Sequence, residues 1–296
     1  MTAHSTRIAV VLASLNRADE LAAWTDRLMA QTLAPHRVIY AVVKEADLPP
    51  IEQRYRGSEI VFASVGSAHQ RNRGLEKVLG DCDLVAFFDD DYVPAPSCLA
   101  RAAELFATYP DVVGANGRVL ADGINSPGIS HVDAAHLIAA YEAAPHEPVR
   151  VLHECEGLYG CNMVYRATAI GSIRFDERLP LYAWQEDIDF AVQVGAHGRI
   201  VKSNAFAGVH LGVKSARNSG LRFGYSQIAN PLYLLRKGTM SLGFALKLMA
   251  RNLASNHARS LRPEPWVDRA GRLRGNWLGI ADALRGRADP QRIMDL

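Results

Sequence analysis

No apolar run in this chain of 296 residues approaches the length that a bilayer-spanning helix needs, so peripheral contact is the only membrane role left open. Cysteine is scarce. Cys82, Cys98, Cys155 and Cys161 form no CxxC pair and stand in no zinc-type spacing with histidine, so they read as reduced, mostly buried thiols of a cytoplasmic protein. A charge imbalance is missing too. With 33 basic residues against 31 acidic ones, a net of +2, the chain as a whole does not read as a nucleic-acid binder. The turn expected after the first strand, Ala13-Ser14-Leu15-Asn16-Arg17, lacks GxGxxG, which excludes a dinucleotide-binding fingerprint. It also lacks the glycine-rich loop and lysine of a P-loop. Residues 8–15 follow Arg7 and are apolar like the core of a signal peptide, but Asn16-Arg17-Ala18-Asp19-Glu20 follows directly with no small-residue cleavage pattern. Internal repeats and low-complexity tracts are absent.

What is present is a globular composition, 49% hydrophobic and 22% charged, with enough chain for one large core or two smaller domains. Residues 8–14 are apolar and β-branched, the pattern of a strand covered on both faces. Residues 19–31 carry Leu21, Trp24 and Leu28 at helical spacing. Strands are expected at 37–44, 60–63 and 84–88, with helices at 68–79 and 97–109. This alternation predicts an α/β fold with a mainly parallel sheet flanked by helices, and ligands bind beyond the carboxyl ends of such strands. Asn16, Lys44 and the acids after residue 88 fall there. The topology of residues 111–157 stays open. Residues 199–205 and 206–210 read as two short strands, and 221–236 and 242–254 as helices, with Pro231 expected to break or kink the first. The second has an apolar face edged by Lys247 and Arg251, which reads as packing within its own domain. From Arg236 onward 12 Lys/Arg stand against 5 Asp/Glu, a net of +7 that leaves −5 for residues 1–235. The tail from Arg259, with Pro263, Pro265 and Pro290, reads as arginine-rich and mobile.

The chemistry concentrates in Val85-Ala86-Phe87-Phe88-Asp89-Asp90-Asp91-Tyr92-Val93-Pro94, an apolar strand that ends in three adjacent carboxylates. Like charges at the mouth of a buried strand call for a cation, and Mg²⁺ or Mn²⁺ takes such oxygen ligands; an acidic surface turn is the plain alternative. The turn holding Gly160 and Asn162 would allow close backbone approach to a ligand. Around Tyr182 and Trp184, the acids Glu186, Asp187 and Asp189 cluster at a helix start, where dipole compensation alone would account for them. Desolvation beside Trp184 would equally suit Asp187 or Glu186 to general-base work. His210, taken alone, reads as structural.

In their order, these motifs resemble the family-2 glycosyltransferases of the GT-A fold, over residues 8–238. The resemblance implies that Ser14, Asn16 and Arg17 form the loop beside the nucleotide base. Gln70-Arg71-Asn72-Arg73-Gly74 resembles the family's Arg-Asn-x-Gly element, which places Arg71 near the nucleotide. Asp89-Asp90-Asp91 matches the DxD motif, with Asp91 and Asp89 as metal ligands and Asp90 toward the nucleotide sugar. Gly160, Asn162 and Trp184 would line the acceptor side. Glu186-Asp187-x-Asp189 resembles the ED motif, with Asp187 as catalytic base beside Glu186, and His210 would add a metal or diphosphate contact. One departure is Lys44, which stands where the family carries an acid; Glu45 or Asp47 would have to take over that nucleotide contact.

The function so implied is a metal-dependent, inverting glycosyltransferase using Mn²⁺ or Mg²⁺, in bacterial polysaccharide or glycoconjugate synthesis. Its partners would be a nucleotide-diphosphate sugar and a saccharide or lipid-linked saccharide acceptor, with no nucleic acid. It would work in the cytoplasm, at the inner face of the membrane if the basic C-terminal segment meets lipid. Residues 1–238 would form the GT-A domain and 239–296 a helical, basic extension. The alternatives are a sugar-nucleotide nucleotidyltransferase, which would want a basic, glycine-rich turn after the first strand, and an inactive sugar- or nucleotide-binding protein of the same fold.

Overall fold

Strand β1 (Ile8–Ala13) is apolar throughout because neighbours cover both of its faces. The computed structural model describes residues 6–214 and 219–296, and the chain divides into two compact units. The first comprises Met1–Val65, His69–Arg174 and Phe190–Ala216; the second comprises Gly66–Ala68, Phe175–Asp189 and Arg217–Leu296.

After β1 come α1 (Ala18–Met29), β2 (Arg37–Val42), β3 (Glu59–Phe62), α2 (Ser67–Val78), β4 (Leu84–Asp89), β5 (Tyr92–Pro94) and α3 (Cys98–Thr108). The segment whose topology the sequence leaves open supplies β6 (Val112–Asp122), α4 (His131–Ala143) and β7 (Val151–Glu154). It is followed by β8 (Asn162–Arg166), α5 (Ala167–Ile170), α6 (Glu186–Val194) and β9 (Arg199–His210). The sheet runs β3-β2-β1-β4-β8-β6-β9-β5, with β7 also on β9. β1 to β4 form the expected parallel half. Past β4 the sheet is mixed: β8 is antiparallel to β4 and β6, while β6 and β9 are parallel.

Alternate residues of the parallel strands sort to opposite faces. Ile8, Val10, Leu12, Tyr40 and Phe88 pack with Leu21 and Trp24 of α1 and Leu99 and Phe106 of α3. On the other face α2 comes so close to β1 that a Cβ on Gly74 would lie 2.4 Å from Val11 Cγ1. Glycine is therefore what lets this helix settle, and with it Arg71 one turn earlier. The two short strands expected at 199–210 are one continuous strand, because β9 is sheltered over nearly its whole length. The irregularity sits in its register with β6 instead.

In the second unit, α7 (Gly220–Lys237) continues through Pro231, so the proline does not break the helix. An interior proline costs about 3 kcal/mol, and burial of the run Tyr225 to Pro231 along α7 offsets it. The tail read as mobile is ordered as well: α8 (Leu242–Ser260) is followed by α9 (Arg269–Leu284). α7 and α9 meet backbone to backbone, since a Cβ on Gly224 would lie 2.0 Å from Arg272 O and one on Gly275 2.1 Å from Leu221 O. Around that contact the core is polar. Asn256 donates to Gln227 (2.8 Å) and to Asn276 (2.8 Å), Arg269 donates to Asn256 (3.0 Å), and Asn276 donates to Gly224 O (2.7 Å). These bonds satisfy groups whose burial would otherwise cost 1–3 kcal/mol or so each. Among the described residues no helix is long and apolar enough to cross a membrane.

Gly275→Leu should lower the unfolding free energy by about 3 kcal/mol in urea titrations. Gly243 of α8, whose Cβ position is open, is the control. There Ala should stabilise by about 0.5–1 kcal/mol.

Candidate active site

In the first unit β4 delivers Asp89 at its last position, and Asp90 and Asp91 form the turn into β5. β5 pairs with the end of β9 so that Tyr92 lies opposite His210, which brings the histidine over the turn. Asp89, Asp91 and His210 each turn one ligand atom to a common point, the three atoms lying within 4.8 Å of one another. Two carboxylates and an imidazole are a donor set that can hold a divalent cation. The three acids have separate partners. Arg71 Nη2 donates to Asp89 (2.9 Å). Asp90 accepts from Ser14 Oγ (2.7 Å) and Arg17 Nη1 (2.8 Å). Asp91 accepts from the Val213 amide (2.8 Å) and lies 3.3 Å from His210 Nε2. The turn's backbone is held as firmly, because the Trp24 indole (2.8 Å) and the Arg27 guanidinium (3.1 Å) both donate to Asp90 O.

Burial pushes the Asp90 carboxyl above its ordinary range, and neighbouring Asp91 adds to this against the pull of Arg17. Burial alone would raise Asp91 too, but the His210 hydrogen bond and charge, with Arg17, hold it below the usual carboxylate range. For His210 burial acts downward, yet Asp122 and Asp91 win and raise it to about 10. The imidazolium lies 2.9 Å from Asp122 Oδ1 through Nδ1, and the Tyr159 hydroxyl approaches that same nitrogen at 3.1 Å. Neither Asp122 nor Tyr159 is singled out by the sequence reading. The one local signal is an acid at the end of a strand, directly before Gly123.

The remaining first-unit residues have varied surroundings. Asn16 sits in the β1–α1 turn with φ 56°, the left-handed region that costs a non-glycine residue about 1–3 kcal/mol. Its amide donates to the buried Asp47 (2.9 Å), which also takes the amides of Val43 (3.2 Å) and Lys44 (3.0 Å). Asp47 therefore fixes the two turns at the carboxyl ends of β1 and β2. Lys44 and Glu45 are exposed, and Glu45 pairs with Arg54 (3.1 Å). Gly160 turns its carbonyl to Arg71 (3.4 Å). Asn162 is fully buried, donating to the Tyr92 hydroxyl (3.1 Å) and accepting from Asn116 (2.9 Å).

In the second unit, Glu186 and Asp187 open α6. The approach to them is strained, since Leu181, Ala183 and Gln185 have φ of 60°, 49° and 80°. Ser67 N holds Leu181 O (3.0 Å), and Asn230 holds Trp184 O (2.8 Å). Glu186 is buried with Ser67 Oγ at 3.4 Å, while Asp187 is half-buried and accepts from the Ile188 amide (2.9 Å). The rings of Trp184 and Tyr182 both lie against Phe223, at 5.9 and 5.8 Å. Asp189 is fully buried and spent on Lys237 Nζ (2.8 Å) and Thr239 Oγ1 (2.6 Å), which tie α6 to the end of α7.

A histidine raised from 6.5 to about 10 contributes stability that is complete below pH 6.5 and is lost as pH climbs through 10. The metal-free protein should accordingly lose stability across that window. Asp122→Asn should move the His210 NMR titration to lower pH and flatten the stability loss.

Comparison with curated proteins by sequence finds no match. Among solved structures, residues 1–349 of S. aureus TarS superpose with a TM-score of 0.56 at 16% identity, covering 98% of this chain and 83% of that one. A mannosyltransferase from Pyrobaculum calidifontis, PcManGT, in complex with GDP-Man and Mn²⁺, gives 0.55 at 16% identity, covering 98% and 79%. A longer TarS structure gives 0.51 at 15% identity; the match takes in 88% of this chain and spans about half, 46%, of that one. These likenesses show a shared fold, the GT-A type. The sequence carries the relationship further: residues 9–171, more than half of the chain, match the model of glycosyl transferase family 2, and the chain belongs to that family.

Proposed function

We propose that the protein is a metal-dependent, inverting glycosyltransferase that moves a hexosyl or deoxyhexosyl group from a nucleotide-diphosphate sugar to a hydroxyl of a saccharide or lipid-linked saccharide. The observation that carries this reading is the convergence of Asp89, Asp91 and His210 at the carboxyl end of the sheet. A diphosphate leaving group develops charge that a divalent cation stabilises, and these three residues would hold that cation. The imidazole among the donors favours Mn²⁺ over Mg²⁺. Arg71, fixed beside Asp89, would add a positive charge next to the diphosphate. The neighbours' ligands, GDP-Man with Mn²⁺ in one and UDP-GlcNAc in a TarS complex, make these two sugar nucleotides the first donors to test.

Asp187 is the proposed base that takes the acceptor hydroxyl's proton as it attacks the anomeric carbon, with inversion in one displacement. Its half-buried position at the start of α6, after a strained segment, suits that role. Glu186 would support it. Ser14, Asn16, Arg17 and Glu45 are proposed for the nucleoside end, and Gly160, Asn162 and Trp184 for the acceptor. Asp90, engaged by Ser14 and Arg17, is better suited to fixing that loop than to meeting the ribose through both oxygens. We further propose a cytoplasmic setting in bacterial polysaccharide or glycoconjugate synthesis, with membrane contact through the basic C-terminal segment; the +7 balance from Arg236 onward supports the latter.

Calorimetry with Mn²⁺ across UDP-, dTDP- and GDP-sugars should find at least one donor, and binding to none would sink the reading. Asp91→Asn should weaken Mn²⁺ binding more than about tenfold. Because His210 must shed its proton before Nε2 can meet the ion, Mn²⁺ affinity should rise toward pH 10 and binding should release a proton. A binding enthalpy that does not vary with the buffer's ionisation heat would remove His210 from the ligand set. Asp187→Asn should keep donor affinity and lose about 10²–10⁴ in transfer rate.

A further inference from the structure

The second unit contains a cavity that the transfer reading does not use. It measures about 570 Å³ and lies between the last turn of α7 and the chain leaving α9, with Arg178, Arg236, Lys237 and Arg287 in its wall beside Tyr233 and Asp289. Four cations against one lining carboxylate is a marked excess. Two of the four are engaged. Lys237 is held by Asp176 (2.6 Å) and Asp189 (2.8 Å). Arg178 pairs with Asp289 (2.8 Å) and stacks 5.1 Å over the Tyr233 ring, which itself donates to Asp176 (2.8 Å). The other two have no carboxylate: Arg236 donates only to the Ala288 carbonyl (2.8 Å), and Arg287 has no acidic partner among the described residues.

Basic residues in the last turn of a helix offset its dipole, and this accounts in part for Arg236 and Lys237. It does not account for Arg178 or Arg287, which come from other segments of the chain. Gly286, at φ 68°, turns the chain back after α9 and sets Arg287 on the wall facing α7. Guanidinium groups present planar forks of donors that match a phosphate in two-point contacts. The volume exceeds what a lone phosphate fills and falls in the range of small-ligand sites.

We propose that this cavity binds a phosphomonoester, its phosphate held by Arg236 and Arg287 and its organic part lying against Tyr233 and Arg178. The proposal is independent of the sugar-transfer reading. Inorganic phosphate and glycerol 3-phosphate, each against sodium chloride at matched ionic strength, test it on the full chain by calorimetry and thermal shift. Both anions should bind, glycerol 3-phosphate the more tightly, and the double variant Arg236→Gln/Arg287→Gln should lose at least tenfold in affinity. Arg287→Gln alone, at an exposed side chain whose loss leaves the fold intact, should lose severalfold. Arg71→Gln should bind both anions as the parent does, which separates this cavity from the proposed donor site. Equal affinity in the double variant, a shift reproduced by chloride, or binding lost only in Arg71→Gln would overturn the proposal.

Discussion

Three consecutive carboxylates in a buried turn repel one another, and burial sharpens that repulsion by removing the water that would screen it. Asp90 and Asp91 are 5% and 3% exposed, so the turn forms only because each acid meets a cation from a different part of the chain. Arg71 comes from α2, Arg17 from the loop before α1 and His210 from the end of β9. Much of the first unit serves those three meetings. Gly74 lets α2 approach β1, Asp47 sets the loop that carries Arg17, and the β5–β9 pairing brings His210 over the turn. The arrangement is also selective about charge. Asp90 is neutralised internally by a permanent cation, whereas Asp91 also leans on His210, a group that can give up its proton and so change from a cationic partner into a neutral donor.

The sequence made the parallel half of the sheet legible because β1, β2 and β4 are short, continuous apolar runs between helices. The acidic turn is legible because three acids stand directly after such a run, and the structure buries Asp90 and Asp91 where a surface turn would leave them exposed. Asp122 and Tyr159 are out of reach for a physical reason: Asp122 meets His210 through the pairing of β6 with β9, Tyr159 is brought in by the bond of its amide to Asn116, and no local pattern announces either partner. The single strand β9 spans the two short strands expected at 199–205 and 206–210, and its register with β6 shifts along the way. The unbroken helix through Pro231 and the ordered tail have one cause. Local propensity speaks against a long helix through Pro231 and against an ordered arginine-rich tail, but the glycine contact between α7 and α9 and the polar core around Asn256 and Asn276 outweigh it. Part of the tail's positive charge meets the tail's own acids, as Arg259 and Arg269 share Glu264 and Arg292 meets Asp282, pairs that the net of +7 already takes into account.

Asp189 shows how a motif residue can carry a purely mechanical load. It follows Glu186 and Asp187 by one short helical step, and its oxygens are consumed by Lys237 and Thr239. Its effect is to fix the direction in which α6 starts, and so the orientation of the two acids before it. The segment with left-handed backbone at Leu181, Ala183 and Gln185 is held by Ser67 at the Leu181 carbonyl and by Asn230 at the Trp184 carbonyl. Strain of this size persists only where the surroundings over-determine it.

The backbone-to-backbone seam between α7 and α9 also sets an order of events during synthesis. Gln227 and Gly224 on α7 find their partners in Asn256 and Asn276, far along the chain. As a nascent chain leaves the ribosome at roughly 5–20 residues per second, the Gln227 side chain and the Gly224 carbonyl emerge before their partners on α8 and α9, with only water to take those partners' place. The sheet, whose strands end at His210, can close while those groups wait, and the helical unit can close only once α9 is out. A pause in translation between α7 and α9 would therefore leave a half-built polar face exposed to chaperones and proteases.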